Sequence, residues 1–139
     1  MDKRQYFAVF DPDEEDEGGF TVTFPDLPGA ITEGNDFDEA RRNAQECLEL
    51  HLYGMERDGD DIPVSSLPRD IQTPSGAFLV PVDAWMDLIR NEMANKSVNK
   101  MVTLPRWLKE AADQQHINYS QLLQHAIKER LNIQENHPD

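Results

Sequence analysis

The run Val98-Asn99-Lys100-Met101-Val102-Thr103-Leu104-Pro105-Arg106-Trp107-Leu108 places a short strand pattern directly against a helix start. Val102 and Leu104 share one face of the strand, opposite Met101 and Thr103, and Pro105 ends the strand while suiting the first turn of a helix. The helix extends to about residue 115, with Leu108, Ala111 and Ala112 apolar, and Ile117-Asn118 then makes a tight break. Asn118 is a good helix cap, and a second helix from near Tyr119-Ser120 carries Leu122, Leu123, Ala126, Ile127 and Leu131 along one stripe. No partner strand lies nearby, and some forty residues with one strand and two short helices cannot bury a core alone. Two copies can: their strands pair antiparallel about a two-fold axis and four helices supply the core. The expected dimer interface is Val102, Leu104, Leu108, Leu122, Leu123 and Ile127.

A strand ending in Val102-Thr103-Leu104-Pro105, a helix, an Asn118-x-Ser120 turn and Leu122-Leu123-x-x-Ala126-Ile127 resembles a ribbon-helix-helix repressor. Alternation then turns Asn99, Met101 and Thr103 outward, onto a ribbon narrow enough for the major groove. Asn can read adenine, Thr can donate or accept, and Met can touch a thymine methyl, although Met is a departure from the usual polar reader. Lys96, Lys100 and Arg106 are expected on phosphates, together with the backbone at Asn118 and Ser120 where the second helix begins. The plain alternative is a helical hairpin that only dimerises.

Charge separates this segment from what precedes it. The 139 residues hold 27 acidic and 13 basic side chains, a formal net charge of −14. Residues 1–95 hold 22 acids and 7 bases, whereas residues 96–131 hold 6 bases and 3 acids. The acidic part repels nucleic acid and attracts a basic protein, while the short basic part can dock on phosphates.

Within the acidic part, Tyr6-Phe7-Ala8-Val9-Phe10 reads as a strand stopped by Asp11-Pro12, and Phe20-Thr21-Val22-Thr23-Phe24 as a second, half-buried one. Ala30-Ile31-Thr32 is short enough to suggest an inner strand. Asp36 with Glu39 three residues on starts a helix over residues 37–55, whose apolar side carries Ala40, Ala44, Cys47, Leu48, His51 and Met55. Ala77-Phe78-Leu79-Val80-Pro81-Val82 is a last strand, placed at a sheet edge by Pro81. The unit reads β-β-β-α-β. The expected divisions are residues 1–83, a linker over 84–97 in which Trp85 to Met93 can form a turn or two of helix, a second module over 98–133, and a disordered tail over 134–139.

The stretch Gly19-Phe20-Thr21-Val22-Thr23-Phe24-Pro25-Asp26-Leu27-Pro28-Gly29, then Thr32-x-Gly34 and a helix with Ala40, Ala44 and Leu48, resembles a HicB-type antitoxin. With the ribbon-helix-helix segment the resemblance spans nearly the whole chain. It implies an α/β (α+β) protein with a small RNase H-like N-terminal unit. It also implies a HicA-type toxin partner, a small basic RNA-cleaving protein neutralised by occlusion of its active site. The chain is then expected to repress its own operon on double-stranded operator DNA as a homodimer that can pair into a tetramer. Asp11, Asp13, Glu14, Glu15, Asp16 and Glu17 are the expected toxin contacts, with the helix-face carboxylates also candidates, against the plain reading of a solvated charge run.

Two other functions are open at this point. A ligand-sensing ribbon-helix-helix repressor needs no toxin, and an RNase H-like nuclease would place Asp11, Asp13 and other acids on two divalent ions. Neither cofactor nor metal nor catalytic residue is expected. Cys47 is the only cysteine, so no intrachain disulfide forms; His116, His125 and His137 show no metal-ligand spacing with it. His51 and Cys47 are expected in the core. No apolar stretch is long enough to span a membrane, and a cytoplasmic location is expected.

Overall fold

The structure, a computed structural model, describes residues 1–15 and 17–133. The chain divides after Ala94 into two compact units. The expected tail over 134–139 lies outside the described residues.

The first unit is one antiparallel sheet with helices on one face. Its strands are β1 (Lys3–Pro12), β2 (Phe20–Thr23), β3 (Ile31–Gly34) and β4 (Phe78–Trp85), in spatial order β3-β2-β1-β4. Period two sends Tyr6, Ala8 and Phe10 to the same face as Val22, Val82 and Ala84, and all six are buried. Helix α1 (Phe37–Asp58) closes that face with Ala40, Ala44, Leu48 and Leu52. Asp36 starts it by accepting from the Glu39 N–H at 2.8 Å, while the Glu39 carboxylate accepts from the Asn35 N–H at 3.1 Å. Gly59, with φ 73°, ends it in a left-handed cap. Gly34 lies where β3 meets α1, and a Cβ there would stand 2.3 Å from the backbone nitrogen of Ala40. Only glycine lets strand and helix come this close. Phe10, Phe20, Phe37 and Phe78 form an aromatic cluster with ring centroids 5.6 to 6.3 Å apart.

Four local expectations change. β1 ends at Asp11-Pro12 as expected but starts earlier, at Lys3, and both residues still pair, Pro12 with Phe20 at the strand's end, where a missing N–H is tolerated. β3 is an edge strand rather than an inner one. Cys47 and His51 are half-buried at the flank of α1, because Leu48 and Leu52 take the central stripe. Most of the expected linker over 84–97 belongs to the first unit. β4 runs on to Trp85, and α2 (Met86–Asn95) buries Met86 and Ile89 in the sheet–helix core.

The second unit contains α3 (Arg106–Gln114) and α4 (Tyr119–Leu131). His116 adopts φ 54° in the break between them, and Asn118 caps α4 by accepting from the Gln121 N–H at 3.1 Å. Residues 96–104 form neither helix nor ladder within the chain. A strand here needs hydrogen-bond partners that the described residues of this chain do not supply.

Candidate functional site

The second unit has the composition of a core without the burial of one. Neither α3 nor α4 contains a buried residue; Leu122 is 55% exposed and Ile127 48%. Their apolar sides, with the segment before them, line an open groove of 410 Å³. From the segment the groove takes Lys100, Val102 and Leu104, three positions of one parity; from the helices it takes Leu108, Leu122 and Leu123 among others. Ile127 is not part of its lining, whereas Ser120 is. Asn99 and Thr103, of the other parity, are exposed, and Met101 is 93% exposed. Lys96 and Arg106 are exposed as well.

The hairpin of α3 and α4 is pinned at its turn. The Tyr119 hydroxyl donates a short hydrogen bond to the Asp113 carboxylate, which also receives Lys109 Nζ at 2.7 Å. The Lys109 hydrogen bond, with that from Tyr119, holds the Asp113 carboxyl below its ordinary value, and the same pairing pushes Lys109 and Tyr119 up.

In the first unit the expected toxin-contact acids fall into two settings. Asp11 belongs to β1, opposite Thr21 and half-buried. Asp13, Glu14, Glu15 and Glu17 are exposed in a turn closed by the Asp13 N–H on the Gly19 carbonyl at 2.9 Å, with the Glu15 N–H on Asp13 Oδ1 at 3.0 Å. Asp16 lies outside the described residues. Among the described residues, no three His, Cys, Asp or Glu side chains converge as a metal would require, and no helix is long and apolar enough to cross a membrane.

Sequence reasoning passed over a second surface. Leu50 is 43% exposed on α1 and sits where three shallow clefts meet. Glu46, Glu49 and Glu92 lie to one side of it with a single cation, Arg42, and His51, Gly54, Asp58 and Asp60 lie to the other. The signal was present as a leucine out of phase with the buried stripe at 40, 44, 48 and 52. A single apolar residue off phase is common enough to be passed over.

Comparison with known proteins extends over both units. A family described as HicB-like antitoxin of bacterial toxin-antitoxin system matches residues 6–127. The chain is 30% identical over 103 residues to an uncharacterized 14.9 kDa protein in the rep-hol intergenic region of Haemophilus phage HP1, covering 73% of this chain and 75% of that one. It is 30% identical over 98 residues to antitoxin HicB 1 of Photorhabdus laumondii, covering 66% of this chain and 62% of that protein. Among solved structures, a chain of a toxin-antitoxin complex from Streptococcus pneumoniae is similar in fold, with a TM-score of 0.60 at 21% identity over 93% of this chain and 99% of that one.

Proposed function

The chain belongs to the HicB-like antitoxin family of bacterial toxin-antitoxin systems, and from that membership we propose a division of labour between its two units. The first neutralises a small, basic, RNA-cleaving HicA-type toxin by covering its active site. The second pairs with its counterpart in another copy as a ribbon-helix-helix and holds the dimer on operator DNA, repressing the operon that encodes both proteins. This is work done by binding rather than by catalysis.

The observation that carries the reading is the open groove of the second unit. A helix pair with no buried side chain gains most of its apolar stabilisation only on meeting another surface. The groove-lining parity of Val102 and Leu104 leaves Asn99, Met101 and Thr103 on the opposite side of a segment that is ready to pair. A second copy would supply the missing ladder and core together. The antitoxic half rests on family membership and on charge, since an acidic first unit speeds encounter with a basic surface and competes with RNA phosphates.

A chain ended after Asn95 tests the division, because α2 completes the first unit there. It should protect RNA from the toxin as the full chain does and should not shift promoter DNA of its own operon, which the full chain should shift. A folded 1–95 chain that leaves RNA unprotected would refute the antitoxic assignment. A full chain that does not shift the promoter would refute the repressor assignment.

A further inference from the structure

Helix α1 contains a glycine that the fold does not need. Gly54 lies in the helix interior without a left-handed φ, and a Cβ added to it would meet nothing within 4 Å among the described residues. Glycine in such a place destabilises a helix relative to alanine, without relieving any contact inside this chain. One turn earlier on the same face stands Leu50, and one turn later Asp58. The cleft beside Gly54, 420 Å³, is also bordered by Pro28, His51 and Asp60. The result is an exposed apolar residue next to a notch with no side chain, with Glu46, Asp58 and Asp60 around them.

We infer that this face of α1 is where the toxin docks: an apolar residue of the basic partner enters the notch at Gly54 and packs on Leu50, and its cationic rim meets Glu46, Asp58 and Asp60. The inference rests on the antitoxic reading above and gives it a location away from the β1–β2 turn. An apolar centre with a charged rim has the anatomy of a protein interface. Charge selects the occupant. A second copy of this chain would bring the same carboxylates against themselves, whereas a basic protein would find its complement. The glycine then has a function, because its missing side chain admits a close approach by the partner.

The test titrates the full-length chain with a catalytically disarmed form of the basic toxin encoded beside it, measuring the dissociation constant at 0.15 M salt and the Tm of each variant alone. Gly54→Trp and Leu50→Lys, which point into solvent and leave the fold intact by circular dichroism, should each weaken binding at least about 100-fold, the scale of an interface hot spot. Gly54→Ala should raise Tm by about 4 °C through helix propensity while weakening binding by a smaller factor. Joint replacement of Glu14, Glu15 and Glu17 by Gln should change binding by less than about threefold, as is usual for charges outside the contact. If the unaltered chain does not bind, the antitoxic reading falls. If it binds and Gly54→Trp and Leu50→Lys bind as well as it does, or if the turn variant alone abolishes binding, the docking face is wrong and the antitoxic reading stands. A concentration-dependent dimer of the first unit lost in Gly54→Trp, with toxin binding retained, would assign the face to a second copy and overturn the inference.

Discussion

Arg90 and Glu56 meet in a two-pronged ion pair, Nε 2.7 Å from Oε1 and Nη2 2.6 Å from Oε2, that ties α2 to the end of α1. The same Arg90 Nη2 lies 2.8 Å from Asp2 Oδ2, and Arg4 reaches both acids. The Asp2 N–H in turn donates to the Asp87 carboxylate at 2.8 Å, so the chain's start, α1 and α2 share one network. Hydrogen bonds from Arg4 and Arg90 hold the Asp2 carboxyl below its ordinary value, and that from Arg90 does the same for Glu56.

Acid should therefore loosen the first unit. A carboxylate whose pKa is lowered by folding contributes stability that is full above its unfolded value and lost as pH falls through the folded one. Stability from urea titration should fall as the pH drops below the ordinary values of these carboxyls, 4.5 for Glu56 and 3.8 for Asp2. Arg90→Ala should lower it by about 1 kcal/mol at pH 7, the scale of a partly exposed network, and should flatten the acid limb. An acid limb as steep in Arg90→Ala as in the unaltered chain would show that other carboxylates set it.

Gly34→Ala should destabilise the first unit by about 3 kcal/mol or more, because the new methyl would press on helix backbone that cannot turn aside. Thermal unfolding measures this directly. The contrast with Gly54→Ala, on the same helix system but facing open space, separates a glycine demanded by the fold from one that is not.

Leu123→Asp should prevent the proposed pairing of the second unit, since it sets a charge in the groove that a second copy would have to cover, at a cost of several kcal/mol. Ile127→Asp should do less, because Ile127 does not line the groove. Sedimentation of the full chain over a concentration series checks both. Equal and negligible effects would mean that the helices pair through a different face.

On DNA, Asn99→Ala and Thr103→Ala should each weaken specific operator binding by about 1–3 kcal/mol per lost base contact and leave dimerisation intact. Lys100→Ala should weaken operator and scrambled duplexes alike and reduce the salt dependence, since its parity is that of Val102 and Leu104, away from the side proposed to read bases, which leaves phosphate as its expected partner. Gel shifts on both duplexes at two salt concentrations distinguish the roles. Equal losses on both duplexes for Asn99→Ala and Thr103→Ala would show that the ribbon reads no bases.

What the sequence disclosed was local. Phe20, Val22 and Phe24 announce a half-buried strand by alternation, Asp36 with Glu39 announces a helix start, and Asn118 announces another. Each is decided by residues within four positions. What it concealed was settled at long range. Met86 and Ile89 read as linker because their burial depends on β4 continuing through Trp85, and Arg90 looks like a surface charge until Asp2, 88 residues away in sequence, is beside it. β3 reads as an inner strand because its shortness does not reveal that β2 pairs it on one side only. Leu50 and Gly54 were silent for a different reason: whatever accounts for them lies outside the chain.

On the pairing proposed above, the absence of any buried side chain in α3 and α4 would tie the survival of this protein to its abundance. If the second unit folds by pairing, a solitary copy exposes it as loosely held chain, and proteases act on the open form in proportion to its population. Dilution then shortens lifetime. As the pool of antitoxin is drawn down, the remaining copies meet less often and are degraded faster, so loss feeds on itself and the release of the toxin becomes steep rather than gradual.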